Sequence, residues 1–258
     1  MSPATCGTVS APALGLPDAT AVPAAKGPLP KAAFVGRGPV SAGLRSKLMN
    51  DIVSISLLGL LRPANTGVAD GARIHEVLVL GLRLAGTDAP VPVEVIDHIA
   101  AQRTGGVLFV CVRDGADGTH GGTGSAGDGN DGGAHGNDVE RCALAVRRRV
   151  PGRAGHVARF AVHAGDWTDP RDVLLEICGG TMDEVWESLC SQAILGTTDH
   201  ADLDERLARR DWIKELGAEE ARLVRDHARA KSAEQRNTAF AKLHKVRAEL
   251  ERLRADTR

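Results

Sequence analysis

The sequence of 258 residues lacks several features that would point directly to a function. It contains no tyrosine, and aromatic residues make up only 3% of the chain, so side chains on which bases or sugar rings could stack are scarce. No apolar run approaches the roughly 18 residues of a membrane-spanning helix, and no basic residue precedes Lys26, so we expect neither a membrane span nor a signal peptide. The formal charge of -1 argues against a uniformly basic nucleic-acid-binding chain and against an acidic tail protein.

The cysteines show no pattern of a disulfide framework or of a zinc site. They are odd in number, widely spaced and without a CxxC pair, at Cys6, Cys111, Cys142, Cys178 and Cys190. This usage favours a reducing compartment, so we expect a cytoplasmic protein with no structural metal.

Residues 122–127 of the glycine-rich tract at 115–138 match the GxGxxG phosphate-binding motif. In that motif, a strand turns tightly into a helix whose N-terminus holds the phosphates. Here Asp128 and further glycines follow, and they cannot open a helix. We therefore interpret the tract as an insertion in a hairpin and expect no cofactor.

Composition divides the chain into three segments. Residues 1–28 are rich in proline and alanine and nearly uncharged, which predicts a disordered lead-in. Residues 29–198 predict an α/β domain that carries the insertion. In residues 199–258, leucines recur at intervals of seven residues, and the phase of this repeat changes near Lys231. This pattern predicts either a long coiled coil or a helical hairpin.

The α/β domain is expected to be a small mixed sheet with packed helices. Leu44, Leu48, Ile52 and Ile55 follow a helical spacing, which predicts one helix that ends before Pro63. Apolar runs on either side of a short helical segment are typical of a parallel βαβ unit. The remaining expected elements are strands at 74–84, 107–112, 141–146 and 157–162, and helices at 93–101, 173–177 and 182–195.

Two carboxylates are weak candidates for catalysis. Glu76 lies on the first predicted strand and Asp97 on the following helix. A metal-dependent nuclease would use such groups to hold magnesium and orient water, but the lysine expected two residues after Glu76 is missing. The alternative interpretation is that both carboxylates form structural ion pairs.

Basic residues are the strongest charge feature. From Ala221 to Arg258 there are eleven Lys/Arg against five Asp/Glu, and a second cluster, Arg147 to Arg149, lies at the edges of the predicted strands 141–146 and 157–162. Such clusters could contact a phosphate backbone or could simply be solvated. The candidate contact residues for nucleic acid or a partner are Arg147, Arg148, Arg149, Arg225, Arg229, Lys231, Arg236, Lys242, Lys245 and Arg247.

The order of these segments resembles an uncharacterised bacterial family, the domain of unknown function four-three-nine-one. The resemblance runs from about Leu29 to Leu253. It is carried by Ile74-His-Glu-Val-Leu-Val, by Ile96-Asp-His-Ile-Ala before Val107-Leu-Phe-Val-Cys-Val, and by Lys231-Ser-Ala-Glu-Gln-Arg-Asn near the end. The family-like polar positions are Glu76, Asp97, Gln235 and Asn237.

The resemblance implies a DNA-linked setting rather than a reaction, because such proteins tend to occur beside helicases and DNA methyltransferases in restriction-like or phage-defence gene clusters. We therefore expect a non-catalytic accessory or adaptor subunit. Its C-terminal helices would bind a partner protein, such as a helicase or methyltransferase, and we leave open whether they also bind DNA or a second copy of the chain. The alternative function is a metal-dependent nucleic-acid enzyme that uses Glu76 and Asp97.

Overall fold

The computed structural model describes residues 1–36, 40–115, 139–150 and 159–255. The predicted glycine-rich insertion therefore lies almost entirely outside the described residues. The strands are β1 (Thr5–Cys6), β2 (Val9–Ser10), β3 (Pro28–Leu29), β4 (Ile52–Leu61), β5 (Val77–Leu84), β6 (Gly106–Asp114), β7 (Glu140–Val150) and β8 (Arg159–Ala164). The α-helices are α1 (Ala32–Val35), α2 (Ala42–Asn50), α3 (Pro63–Thr66), α4 (Val93–Ala101), α5 (Met182–Leu195), α6 (Leu203–Arg229) and α7 (Ala233–Ala255).

The chain divides into two compact units, Met1–His200 and Ala201–Arg258. Among the helices of the described ranges, none combines the length and the apolar character needed to cross a bilayer.

The first unit is built on a six-stranded mixed sheet with the order β3-β4-β5-β6-β7-β8. Strands β5 and β6 are parallel, with Val77 opposite Gly106, and α4 connects them, which confirms the predicted βαβ unit. The other neighbouring strands pair antiparallel. Strands β5 and β6 are buried on both faces of the sheet, which explains their nearly continuous apolar sequence.

Helices cover both faces of the sheet. On one face, Leu48 of α2 and Ile96 and Ile99 of α4 share a buried cluster with Leu80 and Phe109 of the central strands. On the other face lies α5, whose N-terminus is fixed by a capping box between Thr181 and Glu184. The Trp186 ring of α5 approaches the strand so closely that a Cβ on Gly106 would lie 2.6 Å from it. Glycine at position 106 is thus required by the packing of α5.

The predicted disordered lead-in is wrong, because residues 1–28 are ordered against the sheet. Cys6, Val9 and Leu14 are buried. A Cβ built on Gly81 of β5 would lie 2.4 Å from the Cβ of Cys6, and one on Gly59 of β4 would lie 3.2 Å from that of Ala11. Glycines on the sheet therefore leave room for the lead-in. Its small side chains pack where the two backbones approach closely, so the segment needs no periodic pattern of apolar residues.

The predicted single helix from Ser41 to Pro63 is also wrong, because it is a helix followed by a strand. Helix α2 ends at Asn50, and β4 begins at Ile52. Strand β4 lies between β3 and β5 and therefore buries side chains on both faces of the sheet. Because so many of its residues are apolar, Ile52 and Ile55 match the helical spacing of Leu44 and Leu48 by coincidence. β-branched residues at 52, 53 and 55 favour the strand.

The helix predicted at 173–177 does not form; only a single 3₁₀ turn is present, Pro170–Asp172. The segment after it hydrogen-bonds outside itself. Glu176 exchanges both of its backbone hydrogen bonds with the Gln192 side chain of α5, and the Leu175 N–H donates to the Leu14 carbonyl of the lead-in. These tertiary partners replace the intrahelical bonds.

Candidate functional site

The second unit is a pair of helices with a short connection. Helix α6 ends at Arg229, and α7 begins at Ala233. The Ser232 hydroxyl accepts the Gln235 N–H at 3.2 Å, and the Gln235 side chain accepts the Lys231 N–H at 3.1 Å. This local capping explains why the helix stops and restarts at this point.

The two helices run antiparallel and pack along a narrow apolar seam. Arg247 of α7 pairs with Glu220 of α6 at 2.7 Å, so residues far apart in sequence meet across the pair. Leu223 of α6 and Ala239, Leu243 and Leu250 of α7 are buried. The seam leaves most side chains of both helices exposed to solvent.

Charge is distributed unequally along this pair. Residues 222–247, which we call the closed end, carry eight Lys/Arg and two Asp/Glu. Residues 201–221 and 248–255 carry six Lys/Arg and nine Asp/Glu. The antiparallel arrangement therefore brings the excess of positive charge together at the end of the pair that holds the connection.

Most of the predicted basic contact residues lie at this closed end. Arg225, Arg229, Lys231, Arg236, Lys242 and Lys245 are exposed, and none of the carboxylates in the described residues forms a salt bridge with them. Arg247 differs, because it pairs with Glu220. Exposed guanidinium and ammonium groups without salt bridges can bind phosphates without first breaking an ion pair.

The three consecutive arginines of β7 do not form a single basic surface. Side chains alternate along a strand, so Arg147 and Arg148 point to opposite faces of the sheet. Arg147 pairs with Asp97 at 2.6 Å and its guanidinium lies 3.8 Å from the centre of the Phe160 ring, whereas Arg148 is buried and pairs with Glu187 at 2.8 Å. Of the three, only Arg149 is exposed.

The structure does not bring the two candidate catalytic carboxylates into one site. Glu76 accepts hydrogen bonds from Arg62, with Nη2 at 2.7 Å, and Asp97 pairs with Arg147. Within the described ranges, no group of three or more His, Cys, Asp or Glu side chains has the arrangement of a metal site. Each carboxylate is therefore engaged by its own arginine, as in the structural interpretation.

The cysteines are not arranged as nucleophiles. None of the five forms a disulfide, and four of them are buried. Burial raises the pKa of the Cys6 thiol to about 12 and that of the Cys142 thiol to about 11. The reactive thiolate form is therefore disfavoured at neutral pH.

One polar network was not predicted from the sequence. At the carboxyl ends of β5 and β6, Arg83 pairs with Asp114 and, at 2.6 Å, with Glu140. The N–H and hydroxyl of Thr8 both donate to Glu140, at 2.7 and 2.6 Å. The only sign of this network in the sequence is the arginine inside the apolar run of β5, because its partners come from distant segments.

The Glu140 carboxyl is stabilised in its charged form. Partial burial raises its pKa, but the hydrogen bonds from Thr8 and the Arg83 guanidinium outweigh that effect, so the pKa lies below its ordinary value. The network thus ties the lead-in to the central strands.

The sequence profile of the family Domain of unknown function (DUF4391) matches residues 14–250. No curated protein and no solved structure matches the chain.

Proposed function

The chain belongs to the family Domain of unknown function (DUF4391), and we propose that it is a non-catalytic accessory or adaptor subunit of a bacterial DNA-linked system of the restriction or phage-defence type. Its helix pair α6–α7 binds a partner protein and contacts DNA through the closed end. The setting is the cytoplasm, and the five cysteines support this because none of them forms a disulfide.

The observation that carries this proposal is the positive charge of the closed end. Six exposed basic side chains lie there with no salt bridge to a carboxylate of the described residues, on a rigid helical scaffold. Polyanion binding by such a surface releases counterions, so its affinity depends steeply on salt.

The helix pair also supports protein contacts. Its seam repeats leucines at seven-residue steps, at Leu243 and Leu250, and we propose that it is a coiled coil. Trp212 of α6 remains about half exposed, which suits an additional helix from a partner protein such as a helicase or methyltransferase, or from a second copy of this chain.

The experiment measures binding of a labelled DNA duplex by fluorescence anisotropy across a salt series. The test variant combines Arg225→Glu with Lys245→Glu at the closed end. The matched control combines Lys214→Glu with Arg254→Glu, two exposed residues outside the closed end that form no salt bridge with the carboxylates the structure describes. Both variants therefore change the net charge equally.

We expect the test variant to bind at least about ten-fold more weakly at low salt. The slope of the logarithm of its binding constant against the logarithm of the salt concentration should be smaller in magnitude by about two, one for each lost phosphate contact. The control should stay close to the wild type. Equal losses in both variants would mean that only net charge matters. Wild-type protein that binds neither the duplex nor the corresponding single strand would remove DNA from the proposal and leave the protein partner, to be sought by pull-down.

A further inference from the structure

An aromatic side chain lies exposed on the basic closed end. Phe240 of α7 is 58% exposed, whereas Phe34 and Phe109 are buried. Its ring packs beside the His227 ring of α6, with centroids 6.3 Å apart and planes at 49°. Val224, one turn before His227, is 43% exposed. Val224 and Phe240 therefore leave apolar surface exposed at the closed end, with the His227 ring beside Phe240.

A basic group lies beside these side chains. Arg236 is exposed and lies one helical turn before Phe240, on the same side of α7. The surface therefore offers a flat apolar ring together with the Arg236 guanidinium, about 6 Å along the helix axis from it, and the other basic side chains of the closed end. A ligand that fits must combine an exposed planar face with closely spaced negative charges.

Single-stranded nucleic acid has that combination. Its bases are available for stacking on an aromatic ring, and its phosphates follow each base along the backbone. A duplex offers its phosphates but keeps the base faces inside the stack, and a phenyl ring cannot hydrogen-bond the base edges in a groove. An acidic peptide offers charge without a base.

We infer that the closed end binds single-stranded nucleic acid, with a base stacked on Phe240 and the flanking phosphates held by Arg236 and neighbouring basic side chains. This inference rests on the proposed nucleic-acid contact and adds the strand state and the stacking residue. Because more than half of the Phe240 side chain is exposed, its replacement should leave the helix pair folded.

The test compares a single-stranded oligonucleotide with the corresponding duplex, using the full chain and the variants Phe240→Ala, Phe240→Leu and Phe240→Trp. We expect Ala and Leu to weaken single-strand binding by about ten-fold, the effect of one lost stacked base, and Trp to retain it. Duplex affinity should stay unchanged in all three. A 2-aminopurine base in the oligonucleotide should change its fluorescence on binding to wild type and not to the Ala variant.

The outcomes separate this inference from the proposed function. The stacking role would be overturned, with DNA binding left intact, by either of two results. One is that the Phe240 variants bind both single strand and duplex as tightly as the wild type. The other is that Phe240→Ala weakens the binding of single strand and duplex equally. No binding of either form would overturn both. An acidic peptide that displaces the bound oligonucleotide as effectively as unlabelled oligonucleotide does would show that charge alone is recognised. That result would refute the inference.

Discussion

Replacing Gly81 by alanine should destabilise the first unit, because that position determines whether the lead-in can pack on the sheet. An added Cβ would lie 2.4 Å from the Cβ and 3.1 Å from the Sγ of Cys6. Ordinary contacts of this kind begin at 3.4 Å. Either the lead-in or β5 must therefore shift by about an ångström.

The magnitude follows from two opposing effects. Overpacking of a close-packed core costs about 1–3 kcal/mol, whereas replacing a strand glycine by alanine returns about 0.5–1 kcal/mol of conformational entropy. We expect a net loss of about 1–2 kcal/mol in the free energy of unfolding. Gly43→Ala is the matched control, because nothing lies within 4 Å of the new Cβ and α2 should gain up to about 1 kcal/mol.

Urea unfolding followed by tryptophan fluorescence measures this difference, since Trp167 and Trp186 lie in the first unit. A double-mutant cycle with Cys6→Gly tests the contact itself. Removing the Cys6 side chain should relieve the clash, so the two substitutions together should cost about 1 kcal/mol less than their sum. Gly81→Ala with wild-type stability, or additive effects in the cycle, would refute the packing of the lead-in over β5.

Three further predictions address the network, the helix pair and the thiols. Glu140→Gln should lower stability at neutral pH by about 1–3 kcal/mol, because Arg83 loses a charged partner in a partly buried site. Since the folded pKa of Glu140 is depressed, its contribution is present above the unfolded value of about 4.3 and is lost as pH falls through the folded pKa. The deficit of the variant should therefore shrink in acid, and a pH-independent deficit in urea titrations would contradict this account. Gly217→Ala, with no atom within 4 Å of the new Cβ in α6, should stabilise the helix pair by up to about 1 kcal/mol, measured by circular dichroism; a loss of stability would mean that Gly217 is packed. Native protein should expose only Cys178 to a thiol reagent, because the other four cysteines are buried, and rapid labelling of Cys6 would show that the lead-in opens.

Elements with complete local signals were predictable. The spacing of the apolar residues in α5 and its capping box indicate both the helix and its start, and Gly105 lies between α4 and β6, which begins at Gly106. The strand pair β5 and β6 followed from two apolar runs on either side of a short helical segment. In these segments, the local preference and the tertiary environment agree.

Segments whose hydrogen bonds and contacts come from elsewhere were not predictable. The lead-in has no apolar period, and its order depends on Gly59 and Gly81 in strands that come later in the chain. The segment at 173–177 is held by Gln192 and Leu14 instead of by its own backbone. Such partners cannot be identified from a local window of sequence.

The candidate site shows the same division. The sequence by itself determined the excess of positive charge between Arg222 and Arg247, and the phase change near Lys231 left a hairpin as one of two possibilities. Only the tertiary structure decided that the helices fold back and gather this charge at one end, and that Arg147 and Arg148 are engaged on opposite faces of a sheet. Whether a charged side chain is available to a ligand depends on which carboxylate lies beside it, and that is a property of the folded chain.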